Sequence, residues 1–142
     1  MQASRGVPVA DILVIDDNSM FRRIVAEVLG RAGHRVHQAA DGEAGVAAFR
    51  RLRPDLVVTD IVMPEKEGIE VIRELRGEAP HLPILAMSGS CSRGDFYLHA
   101  ATALGADAAL AKPFRPAELV GIVADLLVGT QAPDQGENAA RD

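Results

Sequence analysis

The feature that most constrains this chain is the apolar stretch LVVTDIVMP at residues 56–64, which carries a single carboxylate at Asp60. A run of aliphatic and β-branched residues predicts a strand that is buried on both faces, as in a parallel sheet. A charge is then expected only where the strand emerges at its carboxyl end, and ligands bind at that edge of open α/β sheets. Asp60 is therefore a candidate functional residue, although an Asp at a strand end also commonly caps a turn.

The rest of the chain alternates predicted strands with predicted helices. Short apolar runs predict strands at residues 10–15, 35–39, 56–60, 83–87 and 108–111. Apolar residues at helical spacing predict helices near residues 18–32, 42–52, 69–76, 96–104 and 116–127. Because helical crossovers join parallel strands through right-handed connections, the expected fold is a three-layer α/β sandwich.

Length and composition indicate one domain without a nucleic-acid or membrane role. The 142 residues are predicted to form a flexible leader (1–9), one folded domain (10–128) and a disordered tail (129–142) that has no apolar anchor. The net charge of −5 and the lack of a basic cluster argue against nucleic-acid binding. No apolar run approaches the roughly 20 residues that span a membrane. With a single cysteine and nothing like a signal peptide, the expected location is the cytoplasm.

Five polar residues follow the predicted strands and should meet at one edge of the sheet: Asp16, Asp17, Asp60, Ser88 and Lys112. Three carboxylates this close repel one another unless a cation lies among them or one is protonated. Oxygen ligands with open positions suit Mg²⁺, although two consecutive acids could instead cap the following helix. The lysine could pair with Asp60 or bind a phosphoryl oxygen, to which the serine hydroxyl could also donate.

Four motifs occur in order between residues 11 and 127: LVIDD, LVVTDIVMPEKEG, ILAMSGS and LAKPF. As an ordered set they resemble the receiver domain of two-component response regulators. The resemblance implies a flavodoxin-like, doubly wound parallel sheet of five strands in the order 2-1-3-4-5, with five helices on its two faces.

The resemblance also implies a role for each residue of the predicted edge. Asp60 would accept a phosphoryl group, Ser88 would be the hydroxyl switch residue, and Lys112 would bind phosphate. The Lys112–Pro113 peptide bond is often cis in the family, whereas base rates alone favour trans. The ligands of Mg²⁺, or of Mn²⁺ in its place, would be Asp17, the Asp60 carboxylate, the Val62 backbone carbonyl and, partly through water, Asp16.

Two features depart from the family pattern. Receivers commonly carry Tyr or Phe three residues before the lysine, but this chain has Ala109, so the usual aromatic switch is missing. Phe96 or Tyr97 on the fourth predicted helix could substitute for it. In addition, no helix-turn-helix or catalytic domain follows residue 127, so the expectation is a stand-alone receiver without a DNA-binding output.

The function expected from the resemblance is Mg²⁺-dependent phosphoryl acceptance from a histidine kinase or a histidine phosphotransfer protein. Phosphorylation would shift the loop near residues 89–94 and repack a protein-binding face made by the fourth predicted helix, the fifth strand and the fifth helix. The chain would be a monomer or weak dimer and no enzyme beyond its own phosphorylation and dephosphorylation. The alternatives are a scaffold that is never phosphorylated and a phosphohydrolase of the haloacid-dehalogenase type. The latter needs a second acid two residues after the first-strand Asp, where this chain has Asn18.

Overall fold

The computed structural model describes residues 9–61, 68–88, 102–103 and 105–131. Within these ranges, a helix follows each of the first three strands and the fifth strand. The strands are β1 (Asp11–Ile15), β2 (Arg35–Ala39), β3 (Leu56–Asp60), β4 (Ile84–Ser88) and β5 (Ala108–Ala111). The helices are α1 (Ser19–Arg31), α2 (Gly42–Leu52), α3 (Gly68–Glu78) and α4 (Pro116–Gln131).

The five strands form one parallel sheet in the order β2-β1-β3-β4-β5, which confirms the predicted fold class and strand order. The chain reverses its direction of winding between β1 and β3, the two strands at the centre of the acidic edge. Their register pairs Ile15 with Thr59. The residue after β1 therefore lies beside Asp60, the last residue of β3.

Alternate residues of the central strands belong to two separate cores. On one face, Leu13 and Ile15 of β1 pack with side chains of α2 and α3. On the other face, Ile12 and Val14 pack with side chains of α1 and α4. Since successive side chains of a strand point to opposite faces, a strand covered by helices on both sides must be apolar throughout. The apolar stretch that ends at Asp60 has this origin.

Helix α1 begins with a side-chain cap at Asn18. The side chain of Asn18 accepts a hydrogen bond from the Phe21 N–H at 2.9 Å, which satisfies one of the free donors of the first turn. Helix α4 begins differently, because Arg115 has no acceptor in its side chain. There the Arg115 N–H donates to Glu118 Oε1 at 2.9 Å, so the glutamate provides half of a capping box.

The largest difference between the described and the predicted boundaries is at the end of α4. Helix α4 continues to Gln131, three residues into the segment that was predicted to be a disordered tail. The fourth predicted helix lies outside the described residues except for positions 102 and 103, which are helical. The leader as far as residue 8 and the segment after residue 131 also lie outside them. None of the helices in the described ranges has the length and apolar character needed to cross a bilayer.

The guanidinium of Arg76 ties together three elements at the amino edge of the sheet. It extends from α3 towards the starts of β4 and β5, and its side chain is only 21% exposed. It donates to the carbonyl oxygens of Ala79, Pro80, Leu82 and Gly105 and to the carboxylate of Asp107. This edge lies opposite the end of the sheet where the acidic residues meet.

Candidate functional site

Three carboxylates meet at the carboxyl edge of the sheet, as predicted. Asp16, Asp17 and Asp60 each offer an oxygen, and these oxygens lie within 4.8 Å of one another. Asp16 is fully buried, Asp60 is 6% exposed, and Asp17 faces solvent. The cluster therefore has a buried floor and one open side.

Local hydrogen bonds fix the orientation of Asp16. Its Oδ1 atom accepts the Asn18 N–H at 3.0 Å, and its backbone carbonyl accepts a hydrogen bond from the Arg22 guanidinium at 2.8 Å. Its other carboxylate oxygen, Oδ2, faces the ammonium of Lys112 at 3.1 Å. Hydrogen bonds therefore hold both the side chain and the backbone carbonyl of Asp16. This fits a residue that orients the groups around it.

The pKa of Asp60 is raised to about 6. Burial is the main cause, because it disfavours the charged carboxylate. The neighbouring Asp16 raises the pKa further, whereas the positive charge of Lys112 lowers it. Asp60 is still mostly ionised at neutral pH, so it can bind a cation or act as a nucleophile.

Lys112 lies between the two buried carboxylates. Its Nζ atom is 3.1 Å from Asp16 Oδ2 and 3.5 Å from Asp60 Oδ1, and its side chain is 15% exposed. The sequence predicted a pairing with Asp60, but the nearer partner is Asp16. The Lys112–Pro113 peptide bond is cis, as the resemblance implied.

Ser88 is the last residue of β4 and is buried. Its backbone carbonyl accepts the Lys112 N–H at 2.8 Å, which joins the ends of β4 and β5. The sheet thus delivers all five predicted side chains to one edge: Asp16 and Asp17 after β1, Asp60 at the end of β3, Ser88 at the end of β4, and Lys112 after β5. The sixth predicted contributor, the carbonyl of Val62, lies outside the described residues.

An aromatic pair that was not predicted from the sequence lies beside Lys112. Phe21 is on α1, and the centroid of its ring is 4.1 Å from Lys112 Nζ. Its other neighbour is Phe114, whose ring meets it edge to face with the centroids 5.6 Å apart. Helical periodicity indicates which face of α1 is buried, but it does not say what covers that face. The one available signal was the position of Phe21, one turn after Asp17.

The first residue of α3, Gly68, packs against the backbone of Asp60 and Ile61. The Gly68 N–H donates to the Ile61 carbonyl at 2.8 Å, and a Cβ atom built on Gly68 would lie 2.0 Å from the Asp60 carbonyl oxygen. Only glycine allows the two backbones to approach this closely. Gly68 therefore brings the start of α3 directly behind the acidic cluster.

The donor set of the cluster suits a hard divalent cation. Its potential ligands are carboxylate oxygens, one side is open for water or a ligand, and no histidine or thiol is among them. Mg²⁺ prefers such all-oxygen sites and retains several waters in them. The described residues that could hold it are Asp16, Asp17 and Asp60.

An apolar groove of about 530 Å³ lies between α1 and α4. Ile24 and Val28 line it from α1, and Pro116 and Val120 line it from α4. Ile24 is 50% exposed, and Met20, one turn nearer the acidic cluster, is 70% exposed. An apolar strip therefore extends from the groove towards the open side of the cluster.

Comparisons with known proteins identify relatives of both the sequence and the fold. The family model described as the response regulator receiver domain matches residues 12–124. The probable transcriptional regulatory protein TcrX of Mycobacterium tuberculosis is 36% identical over 120 residues, which cover 84% of this chain and 50% of TcrX. The response regulator MprA of the same species is 36% identical over 129 residues, covering 91% of this chain and 55% of MprA. The chain thus spans about half the length of these curated relatives.

Two solved structures match over nearly their whole length. The receiver domain of NtrX from Brucella abortus superposes with a TM-score of 0.79 at 30% identity, covering 83% of this chain and 98% of that domain. The chemotaxis protein CheY4 of Vibrio cholerae superposes with a TM-score of 0.75 at 30% identity, covering 84% of this chain and 99% of CheY4.

Proposed function

Because this chain belongs to the response regulator receiver domain family, we propose that it accepts a phosphoryl group on Asp60 as part of a two-component phosphorelay. The observation that carries the proposal is the convergence of three carboxylates and one lysine at a single edge of the sheet. Its donor would be a histidine kinase or a histidine phosphotransfer protein, and its location the cytoplasm.

The transfer is a displacement at phosphorus. A carboxylate oxygen of Asp60 forms a bond to the phosphorus of the donor phosphohistidine, and the P–N bond breaks with its electron pair remaining on the imidazole. The product on this chain is an acyl phosphate. Catalysis of such a step comes mainly from positioning and from positive charge near the phosphoryl oxygens. Lys112, whose ammonium is 3.5 Å from Asp60 Oδ1, contributes that charge.

The acidic cluster would hold a divalent cation during the transfer. Asp16, Asp17 and Asp60 are its described ligands, and Mg²⁺ is the ion best suited to them. When bound, Mg²⁺ supplies positive charge that offsets the negative charge of the carboxylates and of the phosphoryl group. In the structure, the buried Asp16 accepts hydrogen bonds from the Asn18 N–H and from the ammonium of Lys112, and so orients both groups.

The output proposed for the phosphorylated chain is contact with another protein. The Ser88 hydroxyl would donate to a phosphoryl oxygen, and the rearrangement would extend to the face that contains β5 and α4. TcrX, named a transcriptional regulatory protein, is about twice as long as this chain, so its transcriptional role is not carried over.

The donor protein would dock on the apolar strip beside the site. Met20 and Ile24 are exposed apolar residues one turn apart on α1, and the strip continues into the groove between α1 and α4. A helix that presents a phosphohistidine could bury its apolar face there while the imidazole reaches Asp60 from the open side. Groove binding of an amphipathic helix is a common recognition mode.

The phosphohydrolase alternative fits these residues less well. The position two residues after Asp16 is occupied by Asn18, whose side chain caps α1. No second acid is therefore available there to protonate a leaving group. We propose that the chain catalyses only its own phosphorylation and dephosphorylation. The scaffold alternative gives no role to the clustering of Asp16, Asp17 and Asp60 beside Lys112.

Intact mass spectrometry tests the proposal directly. We expect incubation with a small phosphodonor and Mg²⁺ to add the mass of one phosphoryl group to the wild type. The addition should be absent without Mg²⁺ and absent in Asp60→Asn. Asp125→Asn makes the same change at an exposed position of α4 and should be phosphorylated normally. A wild type that binds Mg²⁺ but gains no mass from the small donor or from phosphorylated histidine kinases would support the scaffold alternative. Multiple turnover of small phosphate esters would support the phosphohydrolase.

A further inference from the structure

Lys112 makes a third contact besides its two carboxylates. Its Nζ atom lies 4.1 Å from the centroid of the Phe21 ring, well within the distance of about 6 Å at which an ammonium is attracted to an aromatic face. The same atom is 3.1 Å from Asp16 Oδ2 and 3.5 Å from Asp60 Oδ1. Two anionic groups and one ring face therefore surround a single ammonium.

The ring of Phe21 is itself fixed in place. Phe114 meets it edge to face, with an interplanar angle of 80°, the geometry that aromatic pairs favour. Both rings also pack against the core on the α1 and α4 side of the sheet. Because Phe114 is two residues after Lys112, the segment that leaves β5 contacts the Phe21 ring twice, once with an ammonium and once with a ring edge.

We infer that Phe21 is a positioning residue for Lys112, an inference that rests on the proposed function. The lysine ammonium is carried by a flexible stem of four carbons. The carboxylate oxygens that it contacts are also the candidate metal ligands, so a bound cation competes with Lys112 for them. The face of Phe21 offers no ligand atom to a metal, so this contact does not compete. The ring would thereby hold the ammonium of Lys112 at the site even where a bound metal occupied the carboxylate oxygens.

Strand β5 lacks the aromatic residue that receivers commonly carry three residues before the lysine. Ala109 places only a methyl group three residues before the lysine. In the part of the chain that the structure describes, the aromatic side chain in contact with Lys112 comes from α1. The predicted substitutes Phe96 and Tyr97 lie outside the described residues. A shift of Lys112 on phosphorylation would thus change its contact with the Phe21 ring on α1.

Nuclear magnetic resonance of the Lys112 side chain tests the contact without any need for phosphorylation. Protons above an aromatic face resonate upfield, so the Hε protons of Lys112 should be shifted upfield in the wild type. The shift should be lost in Phe21→Leu and retained in Phe21→Tyr, which keeps the ring. Unshifted Hε protons in the wild type would overturn the inference.

Phosphorylation rates test the consequence of the contact. With a small phosphodonor and Mg²⁺, Phe21→Leu should be phosphorylated about three- to tenfold more slowly than the wild type, and Phe21→Tyr within about twofold of it. The matched control is Phe49→Leu, which removes the ring of a second cation–aromatic pair, with Arg53, at the amino edge of the sheet. Its rate should be unchanged at a temperature where circular dichroism shows each variant to be folded.

A double-mutant cycle separates positioning from a general effect on the fold. In a Lys112→Met background, Phe21→Leu should cause no further loss of rate, because the group that the ring positions is gone. An equal loss in both backgrounds, or a wild-type rate in Phe21→Leu, would overturn the inference. If the wild type accepts no phosphoryl group at all, the proposed function fails, and the Hε shift alone decides whether Phe21 positions Lys112.

Discussion

Asp60 is a buried carboxylate whose charge is only partly compensated in the metal-free protein. Burial and the neighbouring Asp16 raise its pKa to about 6, against the opposing effect of Lys112. Perturbed groups of this kind cluster at functional sites, because reactivity is obtained there at the expense of stability. The folded protein therefore holds the Asp60 carboxylate in a less favourable environment than water would offer.

Replacing that carboxylate should therefore stabilise the metal-free protein. A carboxyl group whose folded-state pKa is raised destabilises the fold at pH values above that pKa, and this cost disappears as the pH falls below the unfolded-state value. We expect Asp60→Asn to raise the free energy of unfolding by about 1–3 kcal/mol at pH 7.5. The gain should shrink as the pH falls through 6 and be small at pH 4, as measured by urea denaturation in the presence of a chelator.

Asp125→Asn is the control for this stabilisation, because it changes an exposed carboxyl group on α4. It should alter the free energy of unfolding by less than about 0.5 kcal/mol at either pH. A gain for Asp60→Asn that is equal at pH 7.5 and pH 4 would show that packing, rather than the buried charge, is responsible.

Three features of helix α1 bear on the site and on the surface beside it. Its amino end follows the acidic cluster, its buried face places Phe21 at Lys112, and its outer face carries Met20 and Ile24. The helix is amphipathic, but the polar side is interrupted by these exposed apolar residues. An exposed apolar strip next to a reactive site indicates a contact surface for a partner.

A charge on this strip should discriminate between protein donors and small donors. We expect Ile24→Glu to slow phosphoryl transfer from a phosphorylated histidine kinase or phosphotransfer protein at least about tenfold, since it places a charge in an apolar interface. Phosphorylation by a small donor should stay within about twofold of the wild-type rate, because α1 keeps its cap and its buried face. Intact mass spectrometry with each donor in turn measures both rates.

Val128→Glu is the matched control for Ile24→Glu, because Val128 is 46% exposed on α4 and lies outside the residues that line the groove. It should leave transfer from both kinds of donor unchanged. If Ile24→Glu slowed the two donors equally, the substitution would be acting on the site itself and not on docking.

The elements show what the sequence could and could not predict. Periodicity and strand-end polarity predicted all five strands and the meeting of Asp16, Asp17 and Asp60, because these follow from the rules of parallel sheets. The position of Phe21 beside Lys112 and the close approach of Gly68 to Asp60 were missed. Both depend on how one helix is seated against the sheet, and hydrophobic patterning specifies only which face is buried. The nearer pairing of Lys112 with Asp16 was also missed, because strand order brings the lysine to this edge but does not specify which carboxylate its long side chain reaches.

At the scale of the whole molecule, the acidic cluster and the stabilising contacts of Arg76 lie at opposite edges of the sheet. The carboxyl edge holds the acidic cluster, where like charges meet. The amino edge holds the guanidinium of Arg76, which bonds to four carbonyl oxygens and to Asp107. Asp107 in turn accepts the Ile84 N–H at 2.8 Å. The strands that carry Ser88 and Lys112 are thus anchored at the ends remote from the site.

Loss of this anchor should reduce stability without altering the chemistry. Lysine cannot reproduce the fork of hydrogen bonds made by arginine, so Arg76→Lys should lower the free energy of unfolding by about 2–4 kcal/mol. The rate of phosphorylation by a small donor should be unchanged at a temperature where the variant is folded. Urea denaturation and intact mass spectrometry measure the two effects.

Arg73→Lys makes the same substitution at an exposed position of α3 and should change the free energy of unfolding by less than about 0.5 kcal/mol. A slower phosphorylation of folded Arg76→Lys would mean that the two edges are coupled through the strands.

The distance along the chain between the partners of the site has a consequence for biosynthesis. Asp16 and Lys112 are 96 positions apart, and the ribosome completes every carboxylate of the cluster long before it adds the lysine. A nascent chain that lacks β5 carries the acidic residues without the lysine ammonium that pairs with Asp16. On the proposed function, a chain that still lacks β5 would not yet hold the lysine that phosphoryl transfer needs. The order of synthesis would thus prevent incomplete chains from accepting a phosphoryl group.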